Sequence, residues 1–330
     1  MQDFNVKIQP GGASFTARPG QPLLAEARRA GIYLTFECGW GSCGLCKLKL
    51  LKGSVSSLFP QAPAVKEKDS RQGKILVCQT TACSDLELQT ELLPAPLPEL
   101  VTLDYQATLI ETEELFTGIK LFRFKLDRTA SFLPGQYAML WLEPGVRRAY
   151  SMANLPGTQV VEFVAKHFPA GRASPRLFEL KPGETVLLEM PFGAAYLQET
   201  QRDLVLAAGG TGISSILGLV RELVVRERMP GRGIKVFYGS RMVEELACIE
   251  ELYRLAALRP GLEIIPVVMT APDSWEGERG LITEAMLRQL PDLTIYEYYM
   301  SGPPPMIQAA LDMLFSASVS VLQIHYDSFG

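Results

Sequence analysis

The chain has 330 residues, 47% of them hydrophobic, and a formal net charge of −4. This length predicts two or three domains, each able to bury its own core. The small net charge gives no support for binding to nucleic acid or to an anionic membrane. The N-terminal residues Met1 to Asn5 lack the basic and apolar regions of a signal peptide, so we expect a cytoplasmic protein.

The N-terminal region predicts a small domain of strands around one helix. Residues 4–9 and 14–18 alternate like a hairpin, and residues 23–30 predict a helix that Gly31 ends. Further strands are expected at 47–52 and 85–90. The proline-rich segment 94–99 predicts a stiff linker that ends this domain.

Four of the six cysteines have the spacing of a plant-type [2Fe–2S] site. They are Cys38, Cys43, Cys46 and Cys78, in the order C-x4-C-x2-C followed by a distant fourth cysteine. Gly39, Gly41 and Gly44 lie in the loop, where glycine permits positive φ and lets backbone N–H groups approach the sulfurs. A zinc site usually pairs two short spacings, and the chain has one C-x2-C, so we predict the iron–sulfur cluster.

The two remaining cysteines and the two histidines limit which further metal sites this chain could form. Cys83 and Cys248 are predicted to pack as small hydrophobic residues. His167 and His325 are the only histidines, too few for both a Rieske cluster and a mononuclear oxygen-activating iron. Oxygen chemistry that uses electrons from this chain must therefore take place on another chain.

The middle region predicts an antiparallel barrel or sandwich. Between residues 105 and 190, β-like runs are broken by Pro134-Gly135, Pro144-Gly145, Pro156-Gly157 and Pro182-Gly183. Arg148-Ala149-Tyr150-Ser151 ends one predicted strand. Gly171-Arg172-Ala173-Ser174 opens a short helix, where backbone N–H groups could hold a phosphate.

The last region predicts a parallel sheet, because strand-like and helical segments alternate after residue 200. The strands are expected at 204–207, 234–238, 262–269 and 296–300, with helices at 213–228, 244–257, 283–289 and 305–315. Gly209-Gly210-Thr211-Gly212 joins the first strand to the first helix, which suits a pyrophosphate. It is not G-x-G-x-x-G, and a tight turn without a ligand is the alternative interpretation.

Together these motifs resemble the reductase components of multicomponent aromatic oxygenases, such as those of carbazole and naphthalene dioxygenases and toluene monooxygenase. The resemblance covers essentially the whole chain. Beside the motifs above, it rests on Tyr238-Gly239-Ser240-Arg241, Gly302-Pro303-Pro304-Pro305-Met306 and His325-Tyr326-Asp327-Ser328-Phe329. It implies a multidomain α+β and α/β protein: a β-grasp ferredoxin domain (1–93), the linker (94–99), an antiparallel β-barrel FAD domain (100–199) and a parallel-sheet NAD(P) domain (200–330).

The resemblance also implies roles for individual residues. Tyr150 would stack on the flavin, Arg148 would face the FAD pyrophosphate, and Ser151 would lie near flavin N5. Further FAD contacts are implied for Ala149, Val164, Ala165, Lys166, Gly171, Arg172, Ala173 and Ser174, with Asp327 and Phe329 beside the flavin. Nucleotide contacts are implied for Gly209, Gly210, Thr211, Gly212, Ser240, Arg241, Gly302, Pro303 and Met306. Ser301 stands where many relatives have cysteine beside the nicotinamide. Ser151, Ser301 and Asp327 are the catalytic candidates.

The implied function is electron transfer from NADH through FAD and the [2Fe–2S] cluster to an oxygenase component or a small ferredoxin in aromatic compound oxidation. NADPH remains open, because Arg241 could pair with a 2′-phosphate and no carboxylate follows that strand before Glu244. A reductase for deoxysugar dehydration and a redox-sensing protein without turnover are the alternatives. Residues 1–96 carry 11 basic and 8 acidic residues, a net of +3, so this region is expected to attract an acidic partner.

Overall fold

The computed structural model describes residues 2–92, 100–143 and 146–329. The chain divides into two compact units. The first contains Met1–Tyr105, Met139–Ala149 and Leu187–Phe192; the second contains Gln106–Ala138, Tyr150–Val186 and Gly193–Gly330. The predicted linker 94–99 and the Pro144-Gly145 turn lie outside the described residues, and the four-part division of the chain stays a prediction.

The N-terminal part of the first unit is a mixed sheet with a short helix packed against it. Its strands are β1 (Phe4–Gln9), β2 (Ser14–Ala17), β3 (Lys47–Lys52), β4 (Val55–Ser57), β5 (Lys74–Leu76), β6 (Thr80–Ala82) and β7 (Leu86–Gln89), and its helices are α1 (Leu23–Arg29) and α2 (Glu67–Arg71). The main sheet has the order β2-β1-β7-β3-β5, and β4 pairs with β6. β1 runs antiparallel to β2 and parallel to β7. This arrangement agrees with the predicted β-grasp fold.

The core of this part explains where the cysteine loop lies. Val6 and Ile8 of β1 and Leu23 and Leu24 of α1 are fully buried in one apolar cluster. The same cluster includes Cys46 and Cys78, so two of the predicted cluster ligands are fixed by the hydrophobic core. Cys38, another predicted cluster ligand, is also buried.

The middle region, for which an antiparallel barrel or sandwich was predicted, forms a six-stranded sheet that contains antiparallel pairs. Its strands are β8 (Leu103–Phe116), β9 (Ile119–Leu126), β10 (Tyr137–Glu143), β11 (Val146–Ser151), β12 (Val160–Lys166) and β13 (Thr185–Phe192), with α3 (Ser174–Glu179) after β12. The strand order is β11-β10-β13-β8-β9-β12. β9 pairs antiparallel with both β8 and β12.

The C-terminal region forms the predicted parallel sheet. Its strands are β14 (Asp203–Gly209), β15 (Ile234–Ser240), β16 (Leu262–Val268), β17 (Glu278–Arg279), β18 (Tyr296–Gly302) and β19 (Ile324–Ser328). Its helices are α4 (Ile213–Val225), α5 (Ile249–Ala257), α6 (Ile282–Gln289) and α7 (Pro304–Ser316). The order is β17-β16-β15-β14-β18-β19 with every pair parallel. The carboxyl ends of β14, β18 and β19 therefore meet at one edge.

Two details differ from the sequence-based expectation. The helix expected from residue 244 begins at Ile249, because Cys248 has a left-handed backbone with a φ of 62°. β19 is an additional strand that places the C-terminal residues beside β18. Among the described helices, none has the length and apolar character needed to cross a membrane.

Candidate functional site

The four cysteines of the predicted cluster lie in the first unit as two pairs of thiols. The sulfur atoms of Cys46 and Cys78 are 3.2 Å apart. The thiols of Cys38 and Cys43 also share a hydrogen bond, which lowers the pKa of Cys38 to about 4 and raises that of Cys43. The bond between Cys46 and Cys78 likewise lowers the pKa of Cys46 and raises that of Cys78.

The backbone of the loop supports the same site. The N–H of Ser42 donates a hydrogen bond to Cys38 Sγ at 3.3 Å. Gly39, Gly41 and Gly44 all have positive φ, as predicted. A Cβ atom on Gly41 would lie 2.8 Å from the Cβ of Ala62, so a side chain there would force the loop apart.

The remaining two cysteines differ from each other. Cys248 is half-buried and packs against the core of the second unit, and burial raises the pKa of its thiol to about 12. Cys83 is exposed, so the prediction that it packs as a small hydrophobic residue was wrong. It directly follows β6, in which all three residues are buried, at the point where the chain reaches the surface.

The three catalytic candidates lie together at the carboxyl end of the parallel sheet, in the second unit. The hydroxyl of Ser151 donates a hydrogen bond to Asp327 Oδ2 at 2.9 Å. Asp327 on β19 is directly opposite Ser301 on β18. Ser301 is 1% exposed, and its hydroxyl oxygen has no hydrogen-bond partner among the described residues. An unpaired polar atom in so buried a place is costly and points to a ligand contact.

The aromatic and strand residues predicted for FAD are arranged around Ser151. The ring of Tyr150 is half-buried, with its centre 6.2 Å from that of Phe163 on β12. Ser214 at the start of α4 connects the two strands: its hydroxyl donates to the Ser151 carbonyl at 2.6 Å and accepts from the N–H of Val164 at 3.1 Å. Ala165 is buried beside Val164, at the end of β12.

Other predicted FAD residues have protein partners in the structure. Lys166 forms an ion pair with Glu245, with 2.9 Å between the charged atoms. The hydroxyl of Ser174 binds the backbone N–H and carbonyl of Phe168, which closes the turn containing Gly171, Arg172 and Ala173. In the first unit, Ala149 is half-buried on β11 and the Arg148 guanidinium lies over the Trp40 ring, 4.7 Å from its centre.

The glycine loop after β14 combines tight packing with open space. A Cβ on Gly212 would lie 2.1 Å from the carbonyl oxygen of Ser301, and one on Gly209 would lie 2.4 Å from Met306 Sδ. Gly210 instead has a φ of 55°, and a Cβ there would meet no heavy atom within 4 Å among the described residues. Thr211 follows it and is half-buried in the same turn, a 3-10 helix that leads into α4.

The other nucleotide candidates lie at the same edge of the sheet. Gly302 ends β18, and its carbonyl accepts from the N–H of Phe329 at 3.1 Å. Pro303 is the N-cap of α7. The hydroxyl of Ser240 donates to the Met242 carbonyl at 2.6 Å, and the side chain of Arg241 is exposed.

Three family models match successive parts of the chain: a 2Fe-2S iron-sulfur cluster binding domain (6–83), an oxidoreductase FAD-binding domain (106–196) and an oxidoreductase NAD-binding domain (206–312). A ferredoxin–NAD(P)+ reductase of Metapseudomonas resinovorans is 35% identical, and the match covers 99% of both chains. This chain belongs to the ferredoxin–NAD(P)+ reductase components of multicomponent oxygenases. The predicted family is confirmed, as are its [2Fe–2S], FAD and NAD-binding domains.

Solved structures agree with this assignment. The ferredoxin reductase in carbazole 1,9a-dioxygenase matches the present reductase with a TM-score of 0.89 and 33% identity, and covers 100% of this chain and 99% of that one. A CDP-6-deoxy-L-threo-D-glycero-4-hexulose-3-dehydrase reductase of Yersinia pestis is also similar, at 29% identity over 99% of this chain and 98% of its own. The reductase is thus an NAD(P)H-dependent iron–sulfur flavoprotein oxidoreductase.

The donor sets of this reductase fit its cofactors. A [2Fe–2S] cluster has two irons and four cysteine ligands, so two pairs of thiols suit it better than one mononuclear site. Within the described parts of the chain, no group of three or more His, Cys, Asp or Glu residues is placed to hold one metal ion. The open space at Gly210, before the first turn of α4, suits the phosphates of a nucleotide.

Two residues of the reductase were missed by sequence reasoning. Glu245 lies beside the nucleotide candidates, because its carboxylate accepts from the backbone N–H of Arg241 at 3.3 Å and pairs with Lys166. Arg147 lies next to the cysteine loop, since its Nη2 donates to the carbonyl of Gly39 at 3.4 Å. Arg147 was overlooked because the predicted Arg-x-Tyr-Ser motif begins one residue later. Glu245 was overlooked because the neighbouring Glu244 was the carboxylate considered for the ribose.

Proposed function

We propose that this reductase passes single electrons from its cluster to an oxygenase component or a small ferredoxin, in the cytoplasm. The observation that carries this proposal is the presence of two cysteine pairs for a [2Fe–2S] cluster in a chain that also has FAD- and NAD-binding domains. Hydride transfer from a nicotinamide moves two electrons, the cluster accepts one, and FAD connects the two when bound.

The choice of acceptor is supported by the names of the relatives. They include reductase components of alkene monooxygenase, phenol 2-monooxygenase and naphthalene 1,2-dioxygenase systems. The deoxysugar dehydrase reductase is one relative among several, so an oxygenase is the favoured acceptor. With only two histidines, the chain needs another protein for iron-dependent oxygen chemistry.

We propose that the residues around Ser151 serve the flavin. Tyr150 would supply an aromatic face for stacking. Ser151 would keep its hydroxyl near the reacting edge, held in place by Asp327. The buried, unpaired hydroxyl of Ser301 would meet the nicotinamide or the flavin and exclude water there. Asp327 would hold Ser151 in one orientation by accepting a hydrogen bond from its hydroxyl.

We further propose that the glycine loop and the segment after Ser301 bind NADH in preference to NADPH. The loop would hold the pyrophosphate with backbone N–H groups. Glu245 supports NADH, because a carboxylate that accepts from the Arg241 N–H would repel a 2′-phosphate beside that strand end. The exposed Arg241 side chain is the feature that would favour NADPH.

The test of this function is the cofactor content and turnover of the purified protein. We expect two irons and one FAD per chain, NADH oxidation with ferricyanide, and cytochrome c reduction that requires the cluster. Bound zinc in place of iron would contradict the cluster. Stoichiometric cofactors without steady NADH oxidation would favour the redox-sensing alternative.

A further inference from the structure

A buried arginine lies beside the cysteine loop in the first unit, outside the residues assigned to any cofactor. The side chain of Arg147 is 6% exposed, and its Nη2 donates to the carbonyl of Gly39, the residue after Cys38. The other two nitrogens of the side chain, Nε and Nη1, have no hydrogen-bond partner among the described residues.

The counter-charge of Arg147 is a carboxylate that is fully inaccessible to solvent. Glu189 on β13 is 0% exposed, and its Oε2 lies 3.6 Å from Nη1 of Arg147. Its other oxygen pairs with Arg29 of α1. The pairing continues from Arg29 to Glu26 and Asp104, and from both carboxylates to Arg18. Three arginines and three carboxylates thus form one electrically neutral network.

Stability alone does not account for this arrangement. Buried ion pairs lose so much hydration that apolar replacements of similar size are often equally or more stable. The 3.6 Å separation, and the two Arg147 nitrogens that donate no hydrogen bond to a described residue, make this pair a poor stabiliser by geometry. The feature that sets it apart is its position: one buried positive charge donates a hydrogen bond to the loop that carries Cys38, Cys43 and Cys46.

We propose that Arg147 and Glu189 set the reduction potential of the [2Fe–2S] cluster, with opposite effects. The proposal rests on the proposed function only in requiring that the cluster be present. When one electron passes from reduced FAD to the oxidised cluster, the cluster gains one negative charge and no bond to the protein is broken. A buried positive charge stabilises that state, and a buried negative charge opposes it.

The two residues act as a balanced pair. Arg147 raises the potential so that the cluster can accept an electron from the flavin. Glu189 limits the rise so that the cluster still passes the electron to its acceptor. Because burial keeps both charges away from water and salt, their effect persists at an ionic strength that screens surface charges.

The test is the midpoint potential of the cluster in the holoenzyme, measured by redox titration with detection of its electron paramagnetic resonance signal. In Arg147→Met the equilibrium constant for cluster reduction should fall about tenfold, which is a decrease of about 59 mV for one electron. In Glu189→Gln it should rise by a similar factor. The double variant, which loses both charges, should return close to the wild-type potential.

Two matched variants separate charge from structure. Arg147→Lys keeps the charge and should leave the potential nearly unchanged, even if the contact with Gly39 weakens. Arg71→Met removes a positive charge from an exposed site of the same unit, 74% exposed, and should also leave it unchanged.

The outcomes distinguish this inference from the proposed function. If the midpoint potential shifts in the same direction in Arg147→Met and Glu189→Gln, or shifts in neither, the inference is overturned. A purely structural loosening of the loop would not give shifts that depend on the sign of the charge removed. If Arg147→Met assembles no cluster, the sign is still tested by Glu189→Gln and Arg147→Lys. A wild-type protein without the cluster signal would instead refute the proposed function.

Discussion

Replacing Gly210 by alanine separates the two interpretations of the loop after β14, a phosphate-binding loop or a tight turn. Gly210 has a φ of 55°, and the added Cβ would meet no heavy atom within 4 Å among the described residues. Gly212, two residues on, has its space taken by the Ser301 carbonyl at 2.1 Å. Gly212 is therefore needed for packing, whereas packing does not require glycine at Gly210.

The structure sets the expected size of each effect. An alanine in a left-handed backbone costs about 1–2 kcal/mol, so Gly210→Ala should lower the free energy of unfolding by that amount and still fold. The new methyl group would project into the space proposed for the pyrophosphate. Loss of one charge-assisted hydrogen bond costs about 1.5–3 kcal/mol, which is roughly a 10- to 100-fold weaker affinity for NADH.

The assay is NADH affinity from flavin-reduction kinetics, beside a thermal melt. Gly231→Ala is the matched control, because Gly231 lies in the same unit with a φ of 77° and equally open surroundings. We expect both variants to lose similar stability and only Gly210→Ala to lose NADH affinity. If both variants bind NADH like the wild type, the loop is a turn and the phosphate-binding role is wrong.

Three further predictions follow from single contacts. A thiol reagent at pH 8 should label the exposed Cys83 rapidly and leave Cys248, whose pKa is raised by burial to about 12; equal labelling would contradict the fold at α5. Arg221→Met should destabilise the protein by about 1.5–3 kcal/mol at pH 7, because it leaves the half-buried Glu162 without one of its two arginines. Burial raises the pKa of Glu162, but hydrogen bonds from both arginines outweigh this and lower it, so the loss measured by denaturation should shrink as the pH falls from the ordinary value of 4.5 through the lowered pKa of Glu162 in the folded protein. Arg241→Ala should leave the NADH:NADPH ratio of kcat/KM unchanged or raise it; a wild type that prefers NADPH tenfold and a variant that loses the preference would refute the NADH assignment.

Sequence reasoning succeeded where a local pattern determines the structure. The cysteine spacing predicted the thiol loop, because three ligands within nine residues can converge only in a tight turn. Alternating strands and helices after residue 200 predicted the parallel sheet, whose register then brings Ser301 beside Asp327. The C-terminal strand β19 had no such signal, because its pairing with β18 is a long-range contact.

The partners of buried charged residues could not be predicted. Arg147 and Glu189 are 42 residues apart in the sequence, and each looks like an ordinary polar residue of a strand. Their pairing depends on how the strands fold back on one another. Glu245 was missed for the same reason: the turn from Val243 to Glu245 folds its carboxylate back to Arg241, in a segment where the sequence favoured a continuous helix.

The central claim is that electrons pass from NADH through FAD to the cluster and only then to an acceptor. Its most direct test is anaerobic stopped-flow mixing with NADH, followed by cytochrome c reduction, in Cys43→Ser and in Cys83→Ser as the control for loss of a cysteine outside the cluster. We predict that flavin bleaching stays at the wild-type rate in both variants, and that cytochrome c reduction is abolished in Cys43→Ser alone. Cytochrome c reduction at the wild-type rate in a Cys43→Ser protein shown to lack the cluster would contradict the proposed path.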